Sequence, residues 1–293
     1  MMANPIAESE LIINDRGAIY HLNLRPEELA PTIITVGDPD RVQEVSKHFD
    51  SVELTRQHRE FVTHTGFLGN KRISVVSTGI GPDNIDIVFN ELDALVNIDF
   101  NTRTIKPSLT SLNIVRIGTC GALQAEYGVD SMVVSSHGVG IDNLLNYYQH
   151  DNTEQENELL QQFIQHTRID EHFSRPYIHS AGSSLRMHFV DGFHHGMTVT
   201  CPGFYGPQGR VLRLGLHYPN FIDLLTSFSY GSHKIANFEM ETSAIYGLGS
   251  ALGHQCLSIS VVVANRISQT FSADGKKAVE SAIKKVLNVL SGI

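Results

Sequence analysis

Gln208 and Arg210 stand two residues apart in the stretch Phe204-Tyr-Gly-Pro-Gln-Gly-Arg210, a Gly- and Pro-rich loop that opens with two aromatics. Gly and Pro hold such a loop in a fixed, non-helical path. Gln208 can both donate and accept hydrogen bonds, and Arg210 offers a planar fork of donors. That mix suits the edge of a flat heterocycle with alternating carbonyls and an imide N–H. Phe204 adds an aromatic face on which such a ring can stack. Taken alone, an ordinary surface loop is the simpler account, so the weight comes from what else the chain carries.

Two segments have the chemistry of an anion site. Gly37-Asp-Pro-Asp-Arg41 follows an apolar run and opens a helix. Backbone N–H groups and the positive helix end are exposed there, and Arg41 adds a charge in the first turn. A plain strand–turn–helix with a solvated Arg41 reads the segment equally well. It is neither a P-loop nor a dinucleotide fingerprint, since neither glycine pattern is present. Arg116-Ile-Gly-Thr-Cys-Gly121 is more telling. Arg116 ends an apolar strand, where a charge is costly unless paired. Gly118 and Gly121 let backbone approach a ligand, Thr119 adds a hydroxyl, and ligands of open α/β sheets bind at the carboxyl ends of strands. His58-Arg-Glu-Phe61 and Thr78-Gly-Ile-Gly81 add Arg59 and a second glycine turn. Arg41, Arg59 and Arg116 together could form a phosphate cage.

Asn237-Phe-Glu-Met-Glu241 reads as the opening of a helix. A carboxylate accepts two hydrogen bonds, which suits a vicinal diol. If the chain is still extended here, Glu239 and Glu241 share one side. On local grounds, acids complementing a helix dipole explain the pair as well. Val261-Val-Val-Ala-Asn-Arg266 again puts an amide and a guanidinium at the end of a buried strand. Fifteen histidines are present, but no His-Glu-x-x-His or Cys/His metal spacing. Gly-x-Ser-x-Gly is absent, so serine hydrolase chemistry has no support.

The elements that must position these residues alternate along the chain. Thr32–Gly37 reads as a buried strand and Pro39–His48 as a helix with Pro in its first turn. Phe61–Leu68 and Arg72–Thr78 read as strands around a Gly69-Asn70 turn. Ile85, Val88, Phe89, Leu92, Leu95 and Val96 recur at helical spacing, giving a helix over about 83–97. Asn113–Gly118, Ser131–Ser136, Thr198–Cys201 and Leu257–Ala264 read as strands. Asn152–His166, Met240–Leu252 and Gly275–Leu290 read as helices. Strands alternating with helices predict a layered α/β domain. No linker or repeat divides the chain, so a single domain over 1–293 is expected. Asp99–Ser111 and residues 141–157 interrupt the pattern and read as plain loops.

Composition narrows the classes. The chain has 293 residues, 41% hydrophobic and 18% charged, enough for a sizeable core. Its net charge of -9 makes nucleic acid an unexpected partner. The cysteines, Cys120, Cys201 and Cys256, are three in number and far apart, which suits a reducing compartment. Met1–Asp15 lacks the apolar core of a signal peptide, and no apolar run nears the ~20 residues of a membrane span. A cytoplasmic protein without a membrane partner is expected.

Taken together, these motifs resemble the nucleoside phosphorylase family, and within it the uridine phosphorylases. The likeness runs from about His21 to Leu290. It rests on Gly37-Asp-Pro-Asp-Arg41, His58-Arg-Glu-Phe61, Ser77-Thr-Gly-Ile-Gly81, Arg116-Ile-Gly-Thr119, Phe204 through Arg210, Glu239-Met-Glu241 and Asn265-Arg266. Purine members typically carry Ser-Asp after the last core strand, where Asn265-Arg266 stands here.

The resemblance implies a three-layer α/β/α sandwich around a mixed central sheet, with residues 1–20 as an N-terminal extension. It implies reversible phosphorolysis of uridine, and by extension 2′-deoxyuridine, to uracil and (deoxy)ribose 1-phosphate, a step of pyrimidine salvage. Gly37, Arg41, Arg116 and Thr119 would hold phosphate, with Arg59 from a neighbouring subunit. Met240, Glu241 and Thr119 would hold ribose, and His21, also across the interface, the 5′-hydroxyl. Phe204, Gln208 and Arg210 would take the base, supported by Glu239 and Arg266. Arg210, Gln208 and Arg116 would carry catalysis. Inorganic phosphate is a cosubstrate and no organic cofactor is implied. Some relatives hold a monovalent cation such as K+ where this chain has Glu60, Ile80 and Asn84. Asn84 replaces a Ser there, so the cation stays open. Shared sites imply a homodimeric unit, and bacterial-type relatives a homohexamer. A purine phosphorylase, a nucleosidase of the same fold and a non-catalytic nucleoside-binding protein remain as alternatives.

Overall fold

The computed structural model describes residues 4–170 and 172–293. The chain forms two compact units, one ending at Gly79 and resuming over Asn84–Val115, the other comprising Ile80–Asp83 and Arg116–Ile293. Among the described residues no helix is long and apolar enough to cross a membrane.

In chain order the elements begin with β1 (Thr32–Val36), α1 (Pro39–Ser46), β2 (Ser51–His58), β3 (Phe61–Leu68) and β4 (Lys71–Ser77). They continue with α2 (Pro82–Asn97), the short strands β5 (Ile98–Asp99) and β6 (Thr104–Ile105), and β7 (Asn113–Ala122). In the first unit β1 pairs in parallel with β4, while β2, β3 and β4 form an antiparallel meander. α1 packs against β3 and β4. The buried residues of β1 and β4, among them Ile33, Ile34, Ile73 and Val75, read as near-continuous apolar runs, as expected for strands covered on both sides. β2 is one of the strands that apolar patterning misses, and the longest of those missed in the first unit. Val52 is exposed and the strand mostly faces solvent, so alternation carries no signal there.

The elements that follow are β8 (Met132–Gly140), α3 (Glu154–Thr167), β9 (Tyr177–Ser180), α4 (Ser183–Arg186), β10 (His194–Thr200) and α5 (Phe221–Ser227). Next come β11 (Ser229–Tyr230), β12 (His233–Glu239), α6 (Thr242–Leu252), β13 (Gln255–Asn265), β14 (Thr270–Phe271) and α7 (Gly275–Ser291). The second unit's strands run β11-β12-β10-β8-β13-β7. β8, β10 and β12 are mutually parallel, whereas β13 is antiparallel to β8. The sheet is therefore mixed, as expected.

Alternation along β8 shows how helices cover both faces of this unit. Val139 lies in a core with Met197, Val199, Phe163, Leu225 and Phe228, on the side of α3 and α5. Gly138 faces the other way. A Cβ there would stand 2.8 Å from the Cα of Ser243, so only glycine lets the first turn of α6 seat on β8. Residues Thr242–Gly249 of α6 are all buried. α3 starts in a reciprocal cap in which Thr153 accepts from the Glu156 N–H and Glu156 accepts from the Thr153 N–H. Truncating a ring such as Phe163 at this layer would cost about 3–5 kcal/mol.

Two sequence expectations change. Asn237–Glu239 is the end of β12 and not a helix start, and α6 begins only at Thr242. The Asp99–Ser111 segment begins as a small hairpin, β5 with β6, which ends at Ile105, and only residues 106–111 remain plain loop. Its turn residue Arg103 donates to the carbonyls of Ile6, Ala7 and Leu11, so it anchors the N-terminal extension.

Candidate active site

In the second unit, the carboxyl end of β12 and the junction into α6 present three consecutive residues, Glu239, Met240 and Glu241. Arg116, from β7, reaches them. Its Nη2 donates to Glu241 Oε2 and lies 3.2 Å from Glu239 Oε2, while Nη1 donates to Ser260 Oγ at 3.2 Å. Arg116 is only 6% exposed. Burial alone would lower its basicity, but the two carboxylates override this and raise it. β7 continues to Ala122, so Arg116 lies inside the strand and not at its end as expected, and its charge is paired, as its burial requires.

Burial pushes the Glu241 carboxyl above its ordinary range, Arg116 opposes that, and the neighbouring Glu239 charge adds to it. Glu241 Oε1 accepts from the Gly81 N–H at 2.9 Å and Oε2 from Arg116. A carboxylate has about four acceptor positions, so capacity remains for a diol. Glu239 is committed differently. Oε1 accepts from Thr200 Oγ1 at 2.7 Å and the Thr242 N–H at 3.0 Å, and Oε2 accepts from the Glu241 N–H at 2.9 Å. It caps α6 and braces Glu241, rather than lying on the base-edge loop. Behind it, the Ser243 N–H donates to Thr200 Oγ1, and Ser243 Oγ donates to Asp142, which also accepts from the Tyr177 hydroxyl at 2.9 Å. Sequence reasoning missed Thr200, Ser243, Asp142 and Tyr177. Each is an ordinary polar residue whose partner is remote in the chain. Thr119 and Met240 are both half-buried.

The base-edge loop leaves β10 and makes a single tight turn at Gly206–Gln208. Gly209 has φ +67°, and a Cβ there would stand 2.4 Å from Ile222 Cγ1. Only glycine both adopts that backbone and fits. The turn brings Arg210 back on the loop. Nη1 donates to Gln208 Oε1 at 2.6 Å and to the Phe204 carbonyl at 2.7 Å. Arg266, after β13, donates to the Gln208 carbonyl at 3.0 Å. Gln208 is 3% exposed and is gripped by both arginines. Burial and the nearby Arg266 charge lower the basicity of Arg210. Both guanidiniums also approach Phe238, at 5.9 and 5.7 Å from its ring centroid. Phe204 is half exposed, and Arg210 lies on its ring at 3.8 Å, so the face expected to receive a base carries a guanidinium here.

The first unit holds the remaining sequence-predicted residues. Gly37 and Asp38 join β1 to α1, and the Asp38 side chain caps the helix by accepting from the Asp40 N–H at 3.0 Å. Arg41 lies in the first turn. Arg59 has φ +55° in the turn between β2 and β3, and its guanidinium stands 6.0 Å from the Tyr20 ring centroid. His21 Nδ1 is 2.7 Å from Glu91 Oε1. Glu60 and Asn84 both flank Gly79, crowding the space a Cβ would take there. Ile80 is exposed.

Comparison with known proteins follows the same lines. The phosphorylase superfamily model matches residues 31–291. The Thermococcus kodakarensis uridine phosphorylase is 25% identical over 290 residues, covering 99% of this chain and 93% of that protein. The Escherichia coli uridine phosphorylase is 26% identical over 279 residues, covering 92% and 95%. A crystal structure of Trypanosoma brucei nucleoside phosphorylase, described as showing uridine phosphorylase activity, is 30% identical. It superposes with a TM-score of 0.85 over 97% of this chain and 100% of that one. A buried Arg116–Glu241 pair at the end of β12 and a Gln–Arg loop after β10 thus sit within a fold shared over nearly the whole length, and the chain belongs to the phosphorylase superfamily.

Proposed function

We propose that the chain is a uridine phosphorylase, converting uridine and phosphate reversibly to uracil and ribose 1-phosphate. The observation that carries the reading is the Gln208–Arg210 side-chain bond, braced by Arg266. With Oε1 oriented by Arg210, Gln208 Nε2 can donate to a base carbonyl. The second acceptor position of Oε1 can take the imide N–H. Two guanidiniums near the leaving base favour negative charge on it.

In the reaction a phosphate oxygen bonds to C1′ as the C1′–N1 bond breaks, and the bonding pair departs with uracil. Charge grows on the base and is met by donors already in place. Glu241 takes the ribose diol, with Arg116 fixing its rotamer. The resemblance assigns phosphate to Arg116, Thr119, Gly37 and Arg41, with Arg59 supplied by a neighbouring subunit. No covalent enzyme intermediate is needed. The working unit is a homodimer that assembles into a homohexamer, and a K+ ion beside Glu60, Ile80 and Asn84 is an optional addition. A cytoplasmic setting fits this substrate set.

Arg266 weighs against a purine substrate. Where purine members would place an acid to protonate the base, this chain has a guanidinium committed to the Gln208 carbonyl. Comparing phosphorolysis of uridine with that of inosine tests this. Faster turnover of inosine would overturn the reading.

A further inference from the structure

We propose that Glu91 is a positioning residue for the nucleoside. Its carboxylate holds the His21 imidazole through Nδ1, so that Nε2 is the nitrogen offered to the ribose 5′-hydroxyl. The proposal rests on the reading of His21 given above.

Glu91 lies in α2, seventy residues from His21 in sequence. Its Oε1 is 2.7 Å from His21 Nδ1 and accepts from the His21 backbone N–H at 3.0 Å. Its Oε2 accepts from the Leu22 N–H at 2.8 Å and lies 3.1 Å from the His21 N–H. Both oxygens are thus spent on two consecutive residues. The Glu91 side chain is 12% exposed and that of His21 26%, so the carboxylate is shielded while the ring remains reachable. Edge contacts from Tyr20 at 4.8 Å and Phe61 at 6.1 Å fix the ring plane further.

A carboxylate can only accept, so Nδ1 must carry the proton. That sets which nitrogen faces substrate, because the role of one ring nitrogen is fixed by the bond the other makes. An amide in place of the carboxylate has one acceptor oxygen and one NH2, so it must set the NH2 either toward Nδ1 or against the backbone N–H groups of His21 and Leu22. In the first case the tautomer is no longer dictated, and in the second the side chain is no longer seated and the ring loses its fixed orientation. A helical Glu among several acids in α2 carries no sequence signal for this task. Only the fold brings it under His21.

The test pairs two substrates, uridine and 5′-deoxyuridine, with the wild-type enzyme, Glu91→Gln, His21→Ala and the double variant. Glu91→Gln is expected to lower kcat/KM for uridine by about tenfold, the scale of a lost hydrogen bond to a charged or polarised group. It is expected to change the value for 5′-deoxyuridine by less than about threefold, since no hydroxyl is there to be met. On uridine the double variant is expected to match His21→Ala, because Glu91 acts through His21. If Glu91→Gln lowers the thermal midpoint, Glu91→Asp is the second variant. It keeps the charge and is expected to fall between wild type and Gln on uridine only. Equal losses on both substrates, or a further loss in the double variant, would assign Glu91 to the fold alone and overturn the proposal. If His21→Ala discriminates between the substrates and Glu91→Gln spares both, Glu91 has no positioning role while His21 keeps its own. If His21→Ala does not discriminate, the reading of His21 fails and this proposal fails with it.

Discussion

The guanidinium of Arg210 lies on the ring of Phe204, 3.8 Å from its centroid, while its Nη1 holds the Gln208 side chain at 2.6 Å. One residue thus orders both the edge and the face of the proposed base site. Arg210→Ala is therefore expected to lower kcat/KM for uridine by about 100-fold or more, the scale of losing one donor to a developing anion. Arg210→Lys should recover little, because an ammonium lacks the planar fork that grips and stacks at once. A loss under about threefold for Arg210→Ala, read from steady-state uracil formation, would remove Arg210 from the mechanism.

Arg116 depends on Glu241 for its burial. Removing one partner of a buried pair strands the other, at a typical cost of about 3–5 kcal/mol. Glu239, 3.2 Å from the same nitrogen, offsets part of this. Glu241→Ala is expected to lose about 3 kcal/mol in urea unfolding and to raise KM for uridine. Wild-type stability would contradict the pairing.

Two buried histidines give the fold an acid limit. Burial, with His233 nearby, holds His137 down to about 4. Burial does the same for His179, against an opposing pull from Glu156 and with a smaller contribution from His150. Both are neutral when folded but titrate near 6.5 when unfolded. The stability they provide is fully present above pH 6.5 and is lost as pH falls from there toward 4. A shift of this size corresponds to about 3 kcal/mol per site. Thermal midpoints are expected to drop across that window, and His137→Asn/His179→Gln should flatten the drop. An unchanged slope in the double variant would contradict the assignment.

Arg103 ties the N-terminal extension to the β5–β6 hairpin through three carbonyls. Arg103→Ala is expected to speed amide hydrogen exchange at residues 6–11 while leaving the strands of the second unit unchanged. Wild-type exchange at those residues would show that the extension is held by other contacts.

Parts of the candidate site's geometry are legible because their residues sit where physics makes them conspicuous. Arg116 is a charge within an apolar strand, and the Gly- and Pro-rich setting of Gln208 and Arg210 announces a shaped loop. Glu239 was harder to read. Its local sequence suits a helix start, whereas pairing with β10 keeps Asn237–Glu239 extended. Its contact with Thr200 spans 39 residues, a distance that no local pattern encodes. β2 escaped because an exposed edge strand has no buried face to impose a period of two. Glu91 and Asp142 look like any other surface acid until the fold supplies His21 and Tyr177 as partners.

The central claim is phosphorolysis of a pyrimidine nucleoside. The most direct measurement is uracil release from uridine, followed by absorbance, with and without inorganic phosphate. Release that requires phosphate and yields ribose 1-phosphate is the predicted result. Equal release without phosphate would make the protein a hydrolase and void the phosphate role of Arg41, Arg59 and Arg116. No release under either condition would contradict the account of Gln208 and Arg210 as a uracil site.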